Sequence, residues 1–149
     1  MTEKEKIATF RARKGKPDPI ELAWAFPEVD CGMAPLGARV IVQLRRIKKT
    51  AGRIVLVEET KEAEKWNNMI GKVVAVGPLA YKNRDTMTHW PEGAWAQVGD
   101  YVRVPKWGGD RWEIADPASE KDPVLFMTLN DHELISKVTA DPLSFKVYV

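Results

Sequence analysis

Cysteine and histidine are nearly missing from this sequence. The single cysteine, Cys31, excludes an intramolecular disulfide, a thiolate zinc cluster and a CxxC redox pair. With His89 and His132 as the only histidines, a multi-histidine metal site is not expected, and neither sits with Cys31 in a nucleophile–base signature. His132, between Asp131 and Glu133, reads as a solvated turn residue. No apolar run approaches the roughly 20 residues that cross a bilayer. Met1–Lys6 leads into no apolar signal core, so an intracellular location is expected. The glycines fall at turns rather than in a phosphate-cradling spacing, which leaves neither a P-loop nor a dinucleotide fingerprint. Charge is also balanced: 23 basic against 21 acidic residues give +2, no bulk argument for nucleic acid. Catalysis has little to stand on, and neither an enzyme nor a cofactor is expected.

What is there suits one ordinary domain with appendages. The chain has 149 residues, 44% hydrophobic and 30% charged, enough to bury a core. Its start differs from the rest. Residues 1–16 carry six Lys/Arg against two Glu (+4), whereas residues 17–34 carry four acids and no base (−4). Prolines at 17, 19, 27 and 35 preclude a long helix here. Residues 1–34 therefore read as an extended arm with a short helical turn at Glu21–Phe26. Ile20, Trp24 and Phe26 are costly to leave in water, so the arm should lie against its own domain or a neighbouring subunit.

From Pro35 the pattern is β. Ala38–Leu44 is rich in β-branched residues, and Lys72–Val76 is a short apolar run bounded by Gly71 and Gly77-Pro78. Asp100–Pro105 alternates, and Lys106-Trp107-Gly108-Gly109-Asp110 reads as a hairpin turn returning into Arg111–Ile114. Val124–Met127 is a buried strand, and Asn130–Glu133 a turn before Leu134–Val138. Phe145–Val149 alternates to the last residue. Several short strands with frequent turns predict an all-β barrel or sandwich.

Three features bear on function. Arg39, Arg45, Arg46, Lys48, Lys49 and Arg53 form a basic run that could track a phosphate backbone; the favoured reading is a solvated strand end compensated by Glu58, Glu59, Glu62 and Glu64. Trp66, Trp90, Trp95, Trp107 and Trp112 fall in or near turns, where they serve interfaces or cap the core. Thr50–Val57 contains a Gly52-Arg53 pair followed by Ile54-Val55-Leu56-Val57. Alone it is most simply another strand; in a loop it is a portable hydrophobic plug for a partner's groove. Val57–Trp66 is a helix candidate, with Glu58–Glu62 repulsion partly offset by Lys61 and Lys65.

Taken in order, these segments resemble the co-chaperonin family typified by GroES, over about Pro35 to Ala140. Pro35-Leu36-Gly37-Ala38-Arg39-Val40-Ile41-Val42 is similar to the family's opening strand, and Thr50–Leu56 to its mobile loop. Gly71–Gly77 is similar to its Gly-x-Val-x-Ala-Val-Gly strand, Val98–Val102 to its Val-Gly-Asp-x-Val start, and Val124–Met127 with Asp131–Val138 to its closing strand. Arg53 stands where the family has a second loop glycine, and Tyr81–Gln97 replaces the roof hairpin with a longer, more aromatic segment. Such additions are reminiscent of divergent, virus-encoded members.

The resemblance implies a GroES-like irregular β-barrel over residues 35–140, with the arm at 1–34, a mobile loop at 48–70 and an extra C-terminal strand at 141–149. It implies a non-enzymatic ring, heptameric by analogy, that caps an ATP- or ADP-bound GroEL-type chaperonin in the cytoplasm (the host's, if virus-encoded). Ile54, Val55 and Leu56, after Gly52, would make the contact. The alternative is a virion protein of the same fold that decorates or cements a phage capsid against the major capsid protein, with the arm and tail crossing neighbours. No membrane partner is expected, and nucleic acid is a distant third.

Overall fold

The computed structural model describes residues 16–46, 50–51, 54–55 and 69–145. Its first element, α1 (Pro19–Ala25), is short for local reasons. Asp18 caps it, Oδ1 accepting from the backbone N–H of Ile20 (2.8 Å) and Glu21 (3.3 Å), and Pro19 occupies the first turn, where no donor is needed. Pro27 follows the C-cap Phe26 and stops it.

The remainder is all-β, as expected. The strands are β1 (Arg39–Leu44), β2 (Thr50–Ala51), β3 (Ile54–Val55), β4 (Ile70–Val76), β5 (Tyr101–Arg103), β6 (Asp110–Asp116), β7 (Ser119–Asn130) and β8 (Ser136–Lys137). Six form one antiparallel sheet in the order β6-β7-β1-β4-β5-β8; β2 and β3 pair with each other in a separate two-stranded sheet. The period of two sorts β1 onto opposite faces. Val40, Val42 and Leu44 join Val73, Val102, Val104, Leu125, Met127 and Leu129 inside the curled sheet. Ile41 faces outward with Val124 and Phe126, a second apolar layer that Trp112 and Ile114 extend.

The arm covers that outer layer. Val29 and Cys31 pack on it, Trp112 Nε1 donates to the Cys31 carbonyl (2.9 Å), and Gln43 Nε2 donates to the Pro27 carbonyl (2.8 Å). Of the two expected resting places for the arm, residues 22–31 thus take their own sheet; Ile20, expected to be covered with Trp24 and Phe26, is instead 82% exposed, since it lies on the face of the helix turned to solvent. Cys31 serves through its backbone, and its thiol donates to the Met33 carbonyl (3.1 Å).

The expected hairpin at Lys106–Asp110 is corrected. β5 already has β4 and β8 as neighbours, and β6 pairs with β7, so the link is a crossover to another part of the sheet. Gly109 (φ +68°) makes the entry, where a Cβ would press on Met127 and the Thr128 carbonyl. The true hairpin is β6–β7, closed at Asp116–Ser119 with Asp116 Oδ1 accepting from the Ala118 N–H (2.9 Å). β7 is longer than Val124–Met127; Pro123 is tolerated because β1 pairs only from Phe126 onward.

Gly77–Gln97 crosses one end of the core. Lys82 and His89 bridge across a small hairpin, and the Tyr81, Trp90 and Trp95 rings pack beneath it at 5.2–6.0 Å. Tyr81 adopts φ 59°, held there by Asp131, whose Oδ2 accepts its N–H at 2.8 Å. Asp131–Glu133 is the expected single turn, a 3-10 helix, and His132 on it is exposed. Asp141–Phe145 folds as turns, with Leu143 N–H on Asp141 Oδ1 (2.9 Å). Phe145 lies in a bend; the rest of the expected Phe145–Val149 strand, and the helix candidate Val57–Trp66, fall outside the described residues.

Candidate functional site

The excursion between β1 and β4 begins and ends at one place. Leu44 pairs with Gly71, and the Arg45 N–H donates to the Ile70 carbonyl at 2.9 Å. On the returning limb the Met69 carbonyl accepts the Val104 N–H at 2.8 Å. Both ends of the excursion are therefore fastened to the main sheet.

Within it, Thr50 is registered with Val55 and Ala51 with Ile54. Ile54 and Val55 thus form a strand, as the run read alone suggests, but in a two-stranded ribbon outside the six-stranded sheet. Gly52 falls between the two strands and Leu56 just after them; both lie outside the described residues, as does Trp66.

The stem holds what sequence reasoning missed. Arg45, read as part of a solvated basic run, is buried, and so is most of the side chain of Arg46, 7% exposed. Arg45 is 6% exposed, and its Nη1 donates to the Pro142 carbonyl (2.8 Å). Arg46 contacts three other parts of the chain. Its backbone N–H caps the C-terminal end of α1 at the Ala25 carbonyl (2.9 Å), and its guanidinium lies 4.4 Å from the centre of the Trp24 ring. Its Nη1 donates to Asp116 Oδ2 and to the Asp122 carbonyl, both at 2.7 Å. Hydrogen bonding from Arg46 holds the Asp116 carboxyl below the usual carboxylate range, reinforced by the Ala118 N–H. A phosphate-tracking role for these two arginines is excluded by burial; Lys48, Lys49 and Arg53 lie outside the described residues. The one available signal was proximity: arginines at the end of a buried strand, in a chain whose residues 17–34 are acidic.

The tryptophans divide. Trp90 and Trp95 cap the core with Tyr81, Trp112 stacks on Phe126 (5.9 Å, 22°), and Trp107 stands 77% exposed. A groove of about 450 Å³ runs between the arm and β4, lined by Pro27, Glu28, Val29, Asp30, Lys72 and Val98 among others. Among the described residues no group of three His, Cys, Asp or Glu could hold a metal ion. Nor is any helix among them long and apolar enough to cross a membrane.

The family model of the chaperonin 10 kDa subunit matches residues 32–137, more than two thirds of the chain. The match opens where the arm leaves the outer face and closes at β8. No curated protein matches.

Proposed function

Since the chain belongs to the chaperonin 10 family and is thereby a co-chaperonin, we propose that it caps a GroEL-type chaperonin through Ile54, Val55 and Leu56, with Gly52 giving the preceding turn its freedom. The observation that carries this reading is the pairing of β3: among the described residues, Ile54 and Val55 are registered with β2 and with no strand of the main sheet, on an excursion pinned at its stem. Residues that complete no part of the main sheet are available to a partner. The mode is helped by its weakness. Each apolar side chain buried on the chaperonin contributes roughly 1.5–3 kcal/mol, against the cost of ordering the loop. One loop binds modestly, and several on one oligomer bind well because later loops engage at high effective concentration. Weak single contacts also let the partner's nucleotide cycle release the lid. The protein supplies positioning and no bond chemistry.

The test changes Ile54, Val55 and Leu56 together to serine. Urea stability should move by about 0.5 kcal/mol or less, as for surface positions, and native mass should be unchanged. Capping of ATP-bound chaperonin should be lost. A folded, assembled variant that still caps would refute the assignment of these residues; a variant that unfolds would place them in the core instead. Native mass of the wild type is a second check, since seven copies of 16.8 kDa make about 118 kDa. A monomer or trimer would favour the capsid-decorating role.

A further inference from the structure

The segments beyond the family match converge on one point. α1 (Pro19–Ala25) precedes the match and Asp141–Phe145 follows it, far apart in sequence. Ala25 and Phe26 are buried with Ile70, the first residue after the loop, and Leu22, Trp24, Val138, Leu143 and Phe145 pack around them. Polar contacts meet at the same spot: Arg45 reaches Pro142, and Arg46 reaches Ala25, Trp24, Asp116 and Asp122. We infer that the two extensions form a collar that stiffens the stem of the partner-binding loop, with Arg46 as its positioning residue.

The inference rests on the proposed loop function and adds how the loop is presented. Arg46 is the last described residue before the loop. Two short charge-assisted hydrogen bonds, a cation–π contact and a capped helix end fix it from three directions. Where the strand pairing stops at Leu44, the collar continues to define the chain for two more residues. Without it Arg45 and Arg46 would lose these fixed contacts, and binding would have to fix their backbone. Fixing one residue's backbone corresponds to about tenfold in an equilibrium constant, and the effect compounds when several loops engage together. A rigid stem also fixes the direction in which the ribbon leaves the sheet, so loops on neighbouring copies point alike.

The test is the double variant Arg46→Met/Asp116→Asn, which removes both charges and so strands neither in the interior. Trp24→Ala, which leaves the ion pair in place, is a milder probe should the double variant not fold. Trp112→Phe is the control: it weakens the arm's attachment at the outer face, away from the stem. Native mass, amide hydrogen exchange at Arg45 and Arg46, and affinity for ATP-bound GroEL-type chaperonin are measured for each. The collar predicts at least tenfold faster exchange at Arg46 and at least tenfold weaker binding in the stem variants, with native mass retained. The control should bind within about twofold of wild type. Faster exchange with unchanged affinity would overturn the inference, as would an equal loss in Trp112→Phe, which would trace the effect to stability alone. If the wild-type chain itself fails to bind, the loop function falls, while the exchange data still report whether a collar exists.

Discussion

Tyr81 is 1% exposed and its hydroxyl has no hydrogen-bond partner among the described residues, an unusual state for a phenol in a core. Its ring contributes normally, edge-on to Trp90 at 5.2 Å, so the hydroxyl can be removed without disturbing the packing. An unsatisfied buried hydroxyl costs roughly 1–3 kcal/mol; Tyr81→Phe should therefore be neutral or up to about 1 kcal/mol more stable at pH 7, part of the gain being offset by a small void. The pH dependence gives an independent reading. Burial, with the Asp131 charge adding to it, pushes the Tyr81 phenol up from 10.0 to about 12. A raised acid favours the folded state fully below the unfolded value, and that contribution is lost as pH rises from about 10 through about 12. Allowing for solvent screening, the loss is on the order of 1–2 kcal/mol. Urea midpoints of wild type and Tyr81→Phe from pH 7 to 12 isolate it, because lysine and arginine titrations are common to both. The two curves should run parallel to pH 10 and then diverge, the wild type falling faster. A Tyr81→Phe chain that is more than about 1 kcal/mol less stable at pH 7 would show that the hydroxyl is satisfied, and the argument would fail.

Other consequences are open to measurement. Asp116 is depressed below the usual carboxylate range, so its pairing with Arg46 stabilises the fold above the unfolded carboxylate value and is lost as pH falls through the folded one. Acid unfolding should accordingly be less steep in Arg46→Met/Asp116→Asn than in wild type, and identical acid profiles would refute the pair's contribution. Deleting residues 1–32 uncovers Ile41, Val124 and Phe126, each 1% exposed or less; the truncated chain should bind a hydrophobic dye and aggregate. A soluble, dye-negative truncation with an unchanged melting temperature would mean that the arm does not protect the sheet.

Much of this arrangement can be read from residue order once burial on both faces is considered. Val40-Ile41-Val42 and Val124-Leu125-Phe126-Met127 are continuous apolar runs, the mark of strands covered on both sides. The arm, through Val29 and Cys31, supplies the missing cover. The strands could be placed from such runs, whereas their neighbours could not. Lys106–Asp110 has the composition of a hairpin turn, yet pairing is decided by which edges remain open, and β5 has none. The proposal for Ile54, Val55 and Leu56 comes from family resemblance alone, because their chemistry does not distinguish a plug from a core strand. Arg46 was illegible for another reason. Its partners lie 70 and 76 residues away, and a basic run looks solvated until folding brings Asp116 and the Asp122 carbonyl to it.

The positions of the additions also explain why the family core tolerates them. The interior is filled by β1, β4, β5, β7 and the segment that caps them, all within residues 32–137. The arm adds nothing to that interior; it lies on the outer face, where Ile41 and Phe126 leave an apolar layer, and then turns into α1 at the loop's stem. An extension placed this way can change how firmly the loop is presented without altering the packing on which the sheet depends. On the capping mode proposed above, the loop's own affinity has to stay low enough for release, so strengthening its apolar contacts would work against the cycle. Stiffening the stem lowers the ordering cost and leaves the contacts themselves weak. On that proposal, changes in the two extensions and changes at Ile54, Val55 and Leu56 act on separate terms of the same binding free energy.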